Sequence, residues 1–286
     1  MQQNNNLSAL PFYTAIDEQN HRRSYAYGKV YPLFCHTNTI LPFQIVRQES
    51  GAIQWVRMYD RKGVFVMNLL SELQQTGLTV VSPSGYDYNV IVYTGIMPLA
   101  TNMLQGQYYI VIKTANATYY SDVFTMVNNL TPFLRIEWYN DEDFIMDGAR
   151  IVYQNPTFVN RLYFATELGK PEYTFTEEGE QRDGYYFPEK QLSEKTYKCT
   201  VLAPEYLCDV MRLIRMADHV RITDKYGRQY LADTFLITPK WQEQGDLASV
   251  EIEFETSTVA KKIGRGAITP SNGDFNNDFN DDFLNS

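Results

Sequence analysis

No run of this 286-residue chain stays apolar for anything near the roughly 18 residues that a bilayer-spanning helix needs. Basic clusters are equally scarce, and no Lys/Arg run exceeds two residues, as in Lys261-Lys262. With a net charge of −9 and a pI near 4.9, the chain repels phosphate backbones and anionic headgroups. Nucleic acid and membrane surfaces are therefore not expected as partners. Only three cysteines occur, Cys35, Cys199 and Cys208, an odd number with no close pair. That excludes a disulfide framework and a zinc site, and predicts reduced thiols. The three histidines, His21, His36 and His219, are scattered. Gly-x-Ser-x-Gly, a phosphate loop and Gly-x-Gly-x-x-Gly are all missing, so no nucleophile and no nucleotide cofactor is implied. The chain is expected to be no enzyme, with no catalytic residue, cofactor or metal. The acidic stretch Asn140-Asp141-Glu142-Asp143 with Asp147-Gly148 has oxygens but not the spacing of a calcium loop, and reads as a solvated turn. Glu177, Glu178 and Glu180 read as exposed loop charge.

Tyrosine and phenylalanine are abundant instead, 22 and 16 against 3 Trp. They suit half-buried strand positions, with the ring on the core. Short β-rich runs follow one another from residue 25: Val30–Phe34, Pro42–Arg47, Ile53–Tyr59, Val64–Asn68, Leu78–Val81, Asp87–Thr94, Tyr108–Lys113 and Tyr119–Val127. This rhythm predicts an immunoglobulin- or fibronectin-like sandwich over 25–131, after a polar arm at 1–24. Leu69–Thr76 is either one helical turn or a loop. A link at Asn128–Pro132 opens a second domain over 132–263. Its expected strands are Phe133–Tyr139, Ala149–Tyr153, Arg161–Leu168, Ser193–Leu202, His219–Thr223, Gln229–Pro239 and Ala248–Thr256. Residues 169–185 form an exposed loop or a long hairpin arm. One helix interrupts the strands at 204–217, because Leu207, Val210, Met211, Leu213 and Ile214 recur with helical spacing. The fold class is all-β, mainly β with one short helix: two β-sandwich-type domains and a C-terminal tail.

The order strand (Thr196–Thr200), helix (Pro204–Ala217) and three strands closing in Asp246–Thr256 resembles the β-sandwich-plus-helix unit of tailed-phage tail tubes, distal tail proteins and baseplate hubs. Glu167–Tyr173 and Arg182–Lys190 also resemble prophage structural proteins of gut anaerobes. The resemblance covers 133–263. The first domain is similar to immunoglobulin-like modules that decorate virions. Such a resemblance implies a virion structural protein of the tail, made in the host cytoplasm. It implies a homo-oligomeric ring, such as a hexamer, in contact with other tail proteins, with loop 169–190 reaching a neighbour. The opening Met1-Gln2-Gln3-Asn4-Asn5-Asn6 has no basic or apolar region and predicts no secretory signal.

Two candidate surfaces remain. Residues 264–286 are rich in Asn, Asp, Gly and Ser and read as a flexible acidic tail. Phe275, Phe279 and Phe283 recur there every fourth residue and are candidate partner-binding residues. In the first domain, Trp55, Tyr59, Tyr86, Tyr88 and Tyr93 either pack in the core or stack on sugar. The first four are the candidate glycan-facing aromatics. A carbohydrate-binding surface or adhesion module, with host glycans as its partner, is the alternative function.

Overall fold

The computed structural model describes residues 8–14, 33–47, 51–82, 88–142, 144–146, 150–152, 158–241 and 247–262. The protein is all-β, with twenty strands and two helices among the described residues. Strand β8 (Gly106–Thr114) is the spine of a seven-stranded sheet. Its one edge pairs along its length with β4 (Ile53–Asp60), which carries β5 (Phe65–Asn68). Its other edge is divided between β9 (Thr118–Ser121) and β10 (Phe124–Val127). Beyond β9 lies β1 (Phe12–Thr14), and beyond β10, in parallel, β2 (Phe34–His36).

The single strand expected over 119–127 is broken at Asp122-Val123. Buried side chains replace ladder bonds there. The Ile110 N–H donates to Ser121 Oγ, and the Val123 N–H donates to Asp122 Oδ1. Of the polar arm expected at 1–24, the described residues 8–14 are packed rather than exposed. Phe12–Thr14 pair into the sheet as β1, and Ala9, Leu10 and Phe12 are buried, with the Phe12 ring 4.7 Å from Phe43. These apolar residues are diluted by polar neighbours in sequence, yet all three find the core.

A three-stranded antiparallel sheet faces this one: β3 (Phe43–Arg47), β7 (Asn89–Tyr93) and β6 (Leu78–Val81). Alternation along β3 sends Phe43 and Ile45 inward beside Tyr93 and Ile91, so the two sheets enclose a β-sandwich core. The segment 69–76 is helical at Leu70–Gln75, giving a second helix beside the expected one.

The later strands form two more sheets. The first runs β14 (Asn160–Phe164), β11 (Leu134–Tyr139), β17 (His219–Thr223), β18 (Gln229–Leu231), all antiparallel. The second runs β15 (Glu172–Arg182), β16 (Tyr185–Ala203), β20 (Ala248–Lys262), β19 (Thr234–Trp241). A small hairpin joins β12 (Phe144–Met146) to β13 (Arg150–Val152). The strand expected over 229–239 is two strands in different sheets, because the chain crosses at Ala232-Asp233. Tyr230 of the first sheet meets Tyr197 and Phe254 of the second at centroid distances of 4.9 and 6.2 Å.

The long helix spans Glu205–Ile214. Pro204 precedes it in an extended conformation, where a missing N–H removes no helical bond. Leu207, Val210, Met211, Leu213 and Ile214 are buried, as their spacing requires, and Cys208 with them. Leu213 packs with Val90, Val92 and Phe158. Residues on both sides of the expected boundary at 128–132 thus share buried contacts.

The chain divides into two compact units, Met1–Thr174 with Glu194–Thr258, and Phe175–Ser193 with Val259–Ser286. In the second, the segment expected as a loop or arm is a hairpin of β15 and β16. Asp183 and Gly184 both take positive φ, 49° and 82°. That is the two-residue turn whose twist suits antiparallel strands, and Asp-Gly is its strongest sequence signal.

Candidate functional site

The outer face of the sheet β14-β11-β17-β18 is organised in rows by its register. Arg161, Glu137, Arg221 and Leu231 lie side by side across four strands. The next row is Tyr163, Arg135, Thr223 and Gln229. Tyr139 and His219 form the third, their rings stacked at 4.6 Å. The opposite face carries Leu134, Ile136, Trp138, Leu162 and Ile222 into the core, so strand alternation places the charges.

Glu137 is the centre of the face. Its side chain is only 3 % exposed, and it accepts hydrogen bonds from Arg161 Nε at 2.7 Å and Arg221 Nε at 3.0 Å. Arg135 Nε lies 3.6 Å away, and its Nη2 donates to Thr223 Oγ1. Burial alone opposes ionisation of Glu137. The guanidinium groups of Arg161, Arg135 and Arg221 outweigh it and hold the carboxyl below the usual range. Three cations around one carboxylate leave this face positive on a chain of net charge −9.

A second face is aromatic. On the outside of the seven-stranded sheet, Tyr59 of β4 stacks on Tyr109 of β8 at 5.5 Å, with Phe65 of β5 edge-on at 5.9 Å. Arg57 lies 4.3 Å over the Trp55 ring. Trp55, Arg57 and Tyr59 alternate with the buried Val56 and Met58, so they share this face. Two of the glycan-facing candidates, Trp55 and Tyr59, are therefore brought together, and Tyr109, Phe65 and Arg57 join them. Tyr88 is placed elsewhere, against Val90, Val92, Phe158 and Leu213. Tyr93 is core. Tyr86, Phe275, Phe279 and Phe283 lie outside the described residues. Alternation in Trp55–Tyr59 is visible in the sequence, but the partners Phe65 and Tyr109 come only with the register.

Groups able to do chemistry are dispersed. His219 Nε2 is 2.9 Å from Asp141 Oδ1, but the side chains are 45 % and 69 % exposed, on open surface. A cleft of about 320 Å³ at the end of the long helix is lined by Arg215, Asp218, Asp233 and Glu255 over Ile214 and Phe235. It contains no histidine, cysteine or serine. No cluster of three metal-ligating side chains occurs among the described residues. All three thiols are buried. Desolvation pushes Cys35 far up, Cys199 to about 12 and Cys208 to about 11. Thiol reagents at neutral pH should consequently label none of them rapidly in the native protein and all three in denaturant. A fast native thiol in a spectrophotometric assay would contradict this burial.

Comparison of the chain with protein-family models, with curated proteins and with solved structures returns no match.

Proposed function

We propose that this protein is a non-enzymatic structural component of a phage or prophage tail, assembling with copies of itself as a ring. The carrying observation is the hairpin of β15 and β16. Phe175, Tyr185 and Tyr186 are 64 %, 72 % and 51 % exposed there. Solvating such rings in a monomer forfeits burial worth about 1.5–3 kcal/mol each. Among the described residues, strand β15 is also an edge of its sheet, the position suited to strand addition by another copy. The resemblance over 133–263 supplies the tail, and a closed ring is the arrangement that covers such edges in every copy.

Light scattering on the purified chain tests the reading. A discrete particle of several copies is expected. Replacing Phe175, Tyr185 and Tyr186 together by Ser should reduce the mass to one copy with the melting temperature held. A monomeric wild type, or an unchanged particle in the variant, removes the arm from assembly. The alternative of carbohydrate binding draws on the shared face of Trp55, Tyr59 and Tyr109, since flat aromatic surfaces stack on sugar rings. A monomer that binds a glycan array through that face would favour it.

A further inference from the structure

We infer that the arginine face of the sheet β14-β11-β17-β18 is a docking site for the acidic C-terminal segment, residues 274–284, of a second copy of this chain. The inference rests on the assembly reading above and names the contact that reading lacks.

Charge is the first argument. Arg135, Arg161 and Arg221 outnumber Glu137 and the Asp141 that pairs with His219, so the face keeps a surplus of positive charge in an otherwise acidic protein. Only some of their donors are used on Glu137 and Thr223. The side chains of Arg135, Arg161 and Arg221 remain 31 %, 21 % and 41 % exposed. Glu137 fixes their rotamers, so the outward N–H groups are pre-positioned and little entropy is lost on binding. Asp274, Asp278, Asp281 and Asp282 are the matching anions.

Spacing is the second. Arg161 and Arg221 stand two strands apart, about 9.6 Å. Asp278 and Asp282, on the same side of an extended chain, stand about 13 Å apart, within reach of two long guanidinium side chains. Apolar neighbours complete the match. Leu231, beside Arg221 and 71 % exposed, and the Tyr139–His219 stack adjoin the guanidiniums. Phe279 and Phe283 adjoin Asp278 and Asp282 in the same way.

The test uses a labelled peptide of residues 269–286 and the full chain carrying Asp278→Asn, Asp281→Asn and Asp282→Asn, whose own tail is inert. Fluorescence anisotropy should show binding. Raising salt from about 0.05 to about 0.5 M should weaken it about tenfold, and adding Arg221→Gln should do the same. Unlabelled full-length wild type should displace the peptide. Absence of binding, or equal binding with Arg221→Gln, overturns the proposal. A wild type that is monomeric by light scattering and still fails to displace the peptide overturns it too, because its tail is then held on its own face. Because Arg161 still pairs with Glu137 in the Arg221→Gln chain, its fold is checked by circular dichroism. Light scattering on the same samples separates the two readings: a ring that persists while the peptide fails leaves assembly standing without this contact.

Discussion

Replacing Glu137 by Ala should lower the unfolding free energy by about 3 kcal/mol. Three guanidinium groups would then share one sheet face without a counter-ion. The figure is taken at the low end for a broken buried pair, since the arginines are 21–41 % exposed and regain water. Glu137→Gln keeps the shape and an acceptor but not the charge, and should lie between. Urea denaturation measures both, and an unchanged midpoint for the Ala variant would show that the row is decorative. The pH dependence has a definite sign. The folded carboxyl titrates below its unfolded value, so its contribution is complete above the ordinary glutamate pKa of about 4.3. It declines as the pH falls from there through the lower folded value. In Glu137→Gln that part of the acid destabilisation should be missing.

Phe254→Ala should cost about 3–5 kcal/mol. The ring is fully buried, lies nearly parallel to Tyr197 at 5.4 Å and meets Tyr230 at 6.2 Å. These three aromatics join β20 and β16 to β18, so truncation opens a cavity between two sheets. Phe254→Leu, which refills much of that volume, should lose less than half as much. Equal losses in the two variants would mean that volume at this site is immaterial.

Local pattern made much of the architecture legible. The alternation in Val250–Phe254 marks a half-buried strand, and those apolar residues are buried. Helical spacing from Leu207 to Ile214 marks the helix and its core face. What escaped was long range or two-faced. Residues 169–185 are charged enough to read as a loop as well as a hairpin arm, yet Glu172–Arg182 is a strand, and the next strand, expected from Ser193, already begins at Tyr185 and runs for 19 residues. Gln229–Pro239 reads as one strand, while the crossing at Ala232-Asp233 depends on which sheet each half pairs with.

The arginine face shows the same division. Arg135 and Glu137 are two residues apart, so their common side is evident in sequence. Arg161 and Arg221 stand 24 and 84 residues from Glu137, and only antiparallel register aligns them. By itself the sequence determined that this chain is built of strands with one substantial helix, because hydrophobic period is a local property. It also predicted three thiols outside any disulfide framework, and the fold buries all three. Tertiary structure alone decided which strands are neighbours, and so which charges and rings share a face, because cross-strand contacts depend on register between segments that no local pattern couples.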